Sequence, residues 1–192
     1  AKFWSKRGGF HAKVLGVEKI GHIHFFYEGD KKKLYCFFEK NKTNFLKSCD
    51  EITSNMKNRG GGILSIELND KTDVLENYFQ VDLRFNTVDS MGANFINSCL
   101  EKIAKSIKSL SSKSDLINEN NIDIIMSILS NYVPNCLVKT WVSCPVNELN
   151  ENTDLSPNEF AKRFIQAVKI SEVDPYRAVT HNKGIMNGID SL

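Results

Sequence analysis

The chain has 192 residues, 41% hydrophobic and 25% charged, with a formal net charge of +2. That composition fits a globular protein with one good-sized core and an appended piece of another domain, and its balanced charge argues against nucleic acid or an anionic membrane as partner. No apolar run reaches membrane-spanning length, and five scattered cysteines without a C-x-x-C pair argue against a disulfide framework and a zinc or other metal site; a reducing, cytoplasmic location is expected.

Residues 10–27 hold two strand-like runs, with Glu18 and Lys19 as a hairpin tip between them. In the second run Ile20, His22, His24 and Phe26 alternate with Gly21, Ile23, Phe25 and Tyr27, as in a strand covered on both faces. His22 and His24 lack a nearby third ligand and read as hydrogen-bonded histidines rather than a metal pair. Residues 34–56 read as one long helix, with Leu34, Phe38, Phe45, Cys49, Ile52 and Met56 as its apolar stripe. Arg59, Gly60, Gly61 and Gly62 end it; the glycines leave room for a ligand but match neither a P-loop nor G-x-G-x-x-G.

Residues 63–68 are expected as a strand with Leu64, Ile66 and Leu68 on one face. Residues 78–88 alternate Phe79, Val81, Leu83 and Phe85 with Gln80, Asp82, Arg84 and Asn86, the period of a half-buried strand. A tight turn follows, and then a helix with Phe95, Ile96, Cys99, Leu100, Ile103, Ile107 and Leu110 on one stripe; Cys49 and Cys99 are read as core thiols. Asp89 or Ser90 is placed to cap that helix, and Gly92 lets a ligand approach the backbone. A Ser/Lys-rich linker at 109–115, a short helix at 122–129, a strand at 137–144 and a polar loop at 147–157 come next. Ser156-Pro157 and Asp174-Pro175 each give an N-cap followed by proline, opening the last two helices. The order predicts an α+β fold: an antiparallel sheet with helices on one face.

The final helix is unusually polar. Gly184 and Gly188 each cost about 1 kcal/mol relative to alanine in a helix interior. Lying four apart, they share a face that admits a packed helix or a ligand, and Lys183 and Asn187 share another. Arg177 offers a fork for a carboxylate, and His181 a titratable group.

The stretch Asp174 to Asp190 closely resembles the D-P-Y-R-A-x-T-H-N-K-G-I-M-N-G-I-D block of class II hydroxymethylglutaryl-CoA reductases, the bacterial and archaeal branch. Asp89-Ser90-Met91-Gly92-Ala93-Asn94 resembles that family's D-A-M-G-A-N dinucleotide motif, with Ser90 in place of alanine. Arg59 to Gly62 and Leu129-Ser130-Asn131 stand where similar blocks occur, so the resemblance covers essentially the whole chain.

The resemblance implies a ferredoxin-like, dinucleotide-binding small domain over residues 10–146. Residues 1–9 would be a tail of a larger substrate-binding domain, and the helices of residues 147–192 a return into it. It implies reduction of hydroxymethylglutaryl-CoA to mevalonate and CoA with NADH or NADPH, or the reverse, in a homo-oligomer based on a dimer. Asp89, Ser90, Met91, Gly92, Ala93 and Asn94 would contact the cofactor, with Asp89 near the adenosine ribose. Arg177 would hold the substrate carboxylate, Lys183 would be the catalytic cation, and Asn187 would support it. An acidic Asp89 leans toward NADH by repelling a 2′-phosphate, unless a nearby Lys or Arg offsets it. The family also requires a glutamate, an aspartate and a histidine whose motifs are absent here. A truncated chain without activity of its own is therefore expected, in keeping with the lack of an initial methionine. An isolated binding module is the alternative; the polar face Gln80, Asp82, Arg84 and Asn86 offers little to an RNA base.

Overall fold

The computed structural model describes residues 1–149 and 153–191; residues 150–152 of the expected polar loop, and residue 192, lie outside the described residues. Two compact units emerge: Val14–Val138, and Ala1–Lys13 with Lys139–Leu192.

In the first unit, strands β1 (His11–Tyr27), β2 (Gly62–Asp70), β3 (Tyr78–Asn86) and β4 (Ile122–Leu129) form an antiparallel sheet in the order β2-β3-β1-β4, and β5 (Cys136–Trp141) pairs with β1. With helices between β1 and β2 and between β3 and β4, this is the ferredoxin-like α+β order expected. The alternation of β3 is realised: Phe79, Val81, Leu83 and Phe85 are buried against helices α2 (Lys31–Ser48), α3 (Asp50–Asn58) and α4 (Ala93–Ser111). The core continues through Phe37 and Phe45 of α2 and Leu100 and Ile103 of α4, all essentially inaccessible. Cys49 and Cys99 are buried free thiols, and the Cys49 thiol donates to the Cys99 carbonyl at 3.5 Å.

Four expectations are corrected. There is no hairpin tip at Glu18 and Lys19: β1 runs straight through, with Glu18 opposite Asn86 and Lys19 opposite Phe85. The Glu18 carboxylate is satisfied by Arg84 at 3.2 Å and Asn135 at 2.9 Å, so no turn is needed to solvate it. The long helix is broken at Cys49, whose N–H reaches back only to Leu46, while the Ser48 hydroxyl takes the Phe45 carbonyl at 2.6 Å; such back-bonding bends helices. Leu64 does not join Ile66 and Leu68 in the core: a bulge between Ile63 and Ser65 turns it to solvent, 56% exposed. Residues 122–129 form a strand, not a helix. Their isoleucines suit a pleated surface, and the ladder to β1, shifted between His24 and Phe25, decides the matter.

Gly21 lies at the centre of β1, where helix α4 crosses. A Cβ there would stand 2.8 Å from Leu100 Cδ1 and 2.9 Å from Ile96 Cγ2, both side chains deep in the core. Gly21→Val is therefore expected to destabilise the protein by about 1–3 kcal/mol, the usual cost of overpacking. Thermal or denaturant unfolding measures it; an unchanged midpoint would show that the α4 contact yields freely.

In the second unit, α1 (Lys2–Ser5) is followed along the chain, after the sheet, by α5 (Pro157–Val173) and α6 (Pro175–Asp190), which pack on each other. Both predicted N-caps form: the Ser156 hydroxyl accepts from Glu159 N–H at 3.3 Å, and the Asp174 carboxylate from Tyr176 N–H at 3.0 Å. An apolar groove of about 710 Å³ is lined by Phe3, Trp4, Val142, Cys144, Phe160 and Phe164 among others. No described residue of α5 or α6 is buried. No helix among the described residues is long and apolar enough to cross a membrane.

Candidate functional site

Strand β3 ends at Asn86, and the six residues 87–92 turn the chain into α4. The predicted cap is not made. Gly92, with φ 77°, is the N-cap of α4, and among the described residues no side chain accepts from the first-turn amides. The Ser90 hydroxyl instead donates to the Thr87 carbonyl at 2.7 Å, and Asp89 turns outward to an ion pair with Arg59. A capped helix has spent its first amides; this one presents them, together with the positive end of the helix dipole, beside Met91, Gly92, Ala93 and Asn94. Such a cradle suits an anionic group.

Gly92 is fixed by geometry. Its φ favours glycine, and a Cβ there would lie 2.4 Å from Thr87 Cγ2 and 2.8 Å from Thr87 Cβ. Thr87 is itself fully buried, so the turn rests directly on the core.

Arg59 follows α3, thirty residues before Asp89 in sequence, and its Nη2 reaches Asp89 Oδ1. The Asp89 side chain is 76% exposed and that of Arg59 48%, so the pair is open to a ligand. Sequence reasoning took Arg59 as the end of a helix and the start of a block similar to one in the resembled family; its pairing with Asp89 depends on the loop folding back. The turn therefore offers a carboxylate and a guanidinium side by side, next to free amides.

On the face of the sheet opposite the core helices, Asp82 accepts from Arg84 at 2.6 and 2.9 Å and faces His22 at 3.2 Å. Burial alone would push the Asp82 carboxyl up, but the bonds and charges of His22 and Arg84 outweigh it and hold the carboxyl below its ordinary value. His24 Nδ1 lies 2.6 Å from the Tyr78 hydroxyl; burial, and then the charge of His22, lower its pKa. His22, His24, Asp82 and Arg84 are thus held by neighbouring side chains, as the sequence reading of hydrogen-bonded histidines expected.

In α6, Lys183 Nζ donates to Asn187 Oδ1 at 2.9 Å, and both side chains are exposed. Arg177 is exposed as well, roughly a third of a turn around the helix from Lys183. Gly184 and Gly188 fall on the Arg177 side, and a Cβ at either would meet nothing within 4 Å. Their face is open, so packing within the described residues does not account for two glycines. A helix with a cation held by an amide, a fork and a bare backbone strip can bind a carboxylate and place a positive charge beside a carbonyl oxygen.

The family model described as hydroxymethylglutaryl-coenzyme A reductase matches residues 1–192. A curated relative from Archaeoglobus fulgidus, 3-hydroxy-3-methylglutaryl-coenzyme A reductase, is 25% identical over 192 residues, covering all of this chain and 41% of the relative. A probable 3-hydroxy-3-methylglutaryl-coenzyme A reductase from Borreliella burgdorferi is 28% identical over 181 residues, 94% of this chain and 38% of that protein. Among solved structures, the class II reductase of Streptococcus pneumoniae bound to NADPH in open conformations superposes with a TM-score of 0.75 at 29% identity, over 98% of this chain and 48% of that one. The chain thus spans less than half the length of these relatives.

Proposed function

The chain belongs to the hydroxymethylglutaryl-coenzyme A reductase family, and from that premise we propose that the protein reduces hydroxymethylglutaryl-CoA to mevalonate and CoA, or runs the reverse oxidation. The observation that carries this reading is α6, whose Lys183–Asn187 pair and open glycine face stand on the segment that resembles the family's lysine block. The reduction to mevalonate consumes two hydrides, which bound reduced nicotinamide would supply in turn, the first to the thioester carbonyl and the second to the aldehyde left when CoA departs. Lys183 stabilises the negative charge that develops on the carbonyl oxygen, and Asn187 fixes where the ammonium sits. Arg177 binds the carboxylate of the hydroxymethylglutaryl group. The proton-transfer groups are assigned to parts of the protein outside this chain.

The turn from Asp89 to Asn94 is the proposed dinucleotide site. Uncapped α4 amides hold the diphosphate, and Asp89 meets the adenosine ribose. Arg59 neutralises Asp89, so the repulsion that would exclude a 2′-phosphate is offset and NADPH is accepted as well as NADH. Asp89→Ala should weaken both dinucleotides. Arg59→Ala should lower kcat/KM for NADPH about tenfold or more relative to NADH, the scale of a lost charge-assisted hydrogen bond. Steady-state kinetics with each dinucleotide checks both; an unchanged NADPH/NADH ratio in Arg59→Ala would remove Arg59 from the site.

In this reading residues 10–146 are the dinucleotide-binding small domain, and residues 1–9 and 147–192 belong to the substrate-binding domain. A dimer-based homo-oligomer and a cytoplasmic location complete the proposal. Exposed apolar side chains on α5 and α6, such as Phe164, Val179 and Ile189, support burial of these helices in a larger assembly.

A further inference from the structure

Val88 has φ 55°, a left-handed conformation that a β-branched residue enters only when its surroundings force it. The forcing groups surround it. Asn86 Oδ1 accepts from the Val88 N–H at 2.8 Å. The Thr87 Oγ1 hydroxyl donates to the Ser90 carbonyl at 2.7 Å, and the Ser90 N–H returns to the Thr87 carbonyl at 3.0 Å. Thr87 is buried and lies directly beneath Gly92, so its hydroxyl ties the end of β3 to the start of α4.

A planar trans peptide sets its C=O and N–H on opposite sides. A Ser90 carbonyl held inward by the buried Thr87 therefore turns the Met91 N–H the other way, outward from the core. We propose that the Thr87 hydroxyl is a positioning group for the dinucleotide site: it holds the strained 87–90 turn in the one conformation that aims the Met91 amide and the Asp89 carboxylate at the ligand. The proposal rests on the reading of the Asp89–Asn94 turn as that site.

Two substitutions separate positioning from packing. Thr87→Val keeps the shape and removes the donor, and Thr87→Ser keeps the donor and opens a methyl-sized hole. NADPH and NADH are titrated into the full-length protein carrying each, and thermal unfolding is followed on the same samples. Thr87→Val is expected to raise both dissociation constants about tenfold, the equivalent of one hydrogen bond. Thr87→Ser should bind nearly as the unaltered protein does, even with a lower Tm. If affinity instead tracks Tm across the two variants, or Thr87→Val binds normally, the proposal is overturned. Asn86→Ala, at a half-exposed position, provides an arm that does not depend on Thr87→Val folding: it removes the brace on Val88 and should weaken both dinucleotides severalfold. A folded Asn86→Ala with unaltered affinity would likewise overturn it. Asp89→Ala tells the two failures apart. If it too leaves both affinities unchanged, the site reading itself fails; if it weakens binding while Thr87→Val does not, only the positioning role does.

Discussion

Replacing Lys183 with alanine in the full-length protein is expected to lower turnover by roughly a hundred- to a thousandfold, while the Michaelis constant for hydroxymethylglutaryl-CoA changes little. A preorganised donor aimed at charge that develops only in the transition state is worth about that much. Because the charge is absent from the bound ground state, its loss appears in kcat rather than in binding. The structure supports the preorganisation: Asn187 holds the ammonium at 2.9 Å from one turn further along α6. Lys183→Arg retains the charge but spreads it over a planar fork that the single Asn187 oxygen cannot orient in the same way, so it should not restore full turnover. Arg177→Ala, which removes a partner of the ground-state carboxylate, should act chiefly on the Michaelis constant. Steady-state kinetics on the three variants decides among these roles. Intact turnover in Lys183→Ala with a raised Michaelis constant would make Lys183 a binding residue and end this mechanism.

Gly92→Val should abolish measurable dinucleotide binding and destabilise the small domain. The two effects share one cause. A Cβ at position 92 would stand 2.4 Å from Thr87 Cγ2, and Thr87 has nowhere to go, since it is fully buried. The φ of 77° adds backbone strain for any side chain with a Cβ, most of all a branched one. Relief comes only by lifting the turn off the core, which moves the α4 amides and Asp89 together. Overpacking alone costs about 1–3 kcal/mol. Gly92→Ala should show the same defects in milder form. Dinucleotide titration alongside thermal unfolding tests this; a Gly92→Val protein with normal Tm and normal affinity would show that the turn is free to adjust.

What the sequence disclosed depended on the range over which each feature is determined. The alternation of β3 and the stripe of α4 were legible because each buries one face against a single layer. The caps Ser156 and Asp174 were legible because they bond amides two or three residues away. The 122–129 run was misread because an eight-residue apolar segment fits either period, and only its ladder to β1 decides. The cap at Asp89 or Ser90 failed because each side chain is claimed by another partner, the distant Arg59 for Asp89 and the neighbouring Thr87 carbonyl for Ser90. Of the candidate site, the spacing of Lys183 and Asn187 was readable because a helix fixes it. The pairing of Arg59 with Asp89 was not, because no local pattern connects residues thirty apart in sequence.

The irregularities in the ladders bear on how the protein behaves when crowded. The two outer strands of the β2-β3-β1-β4 order each have their register shifted, β2 between Ile63 and Ser65 and β4 opposite His24 and Phe25. Each shift leaves an apolar side chain at the break, Leu64 and Ile125, both about half exposed. A flat outer strand bearing such residues would serve as a template for a neighbouring chain. A bulge bends the strand and interrupts the even row of donors and acceptors that an incoming strand must match. The same local disorder of register that hid Leu64 from the core thus guards the sheet against edge-to-edge aggregation.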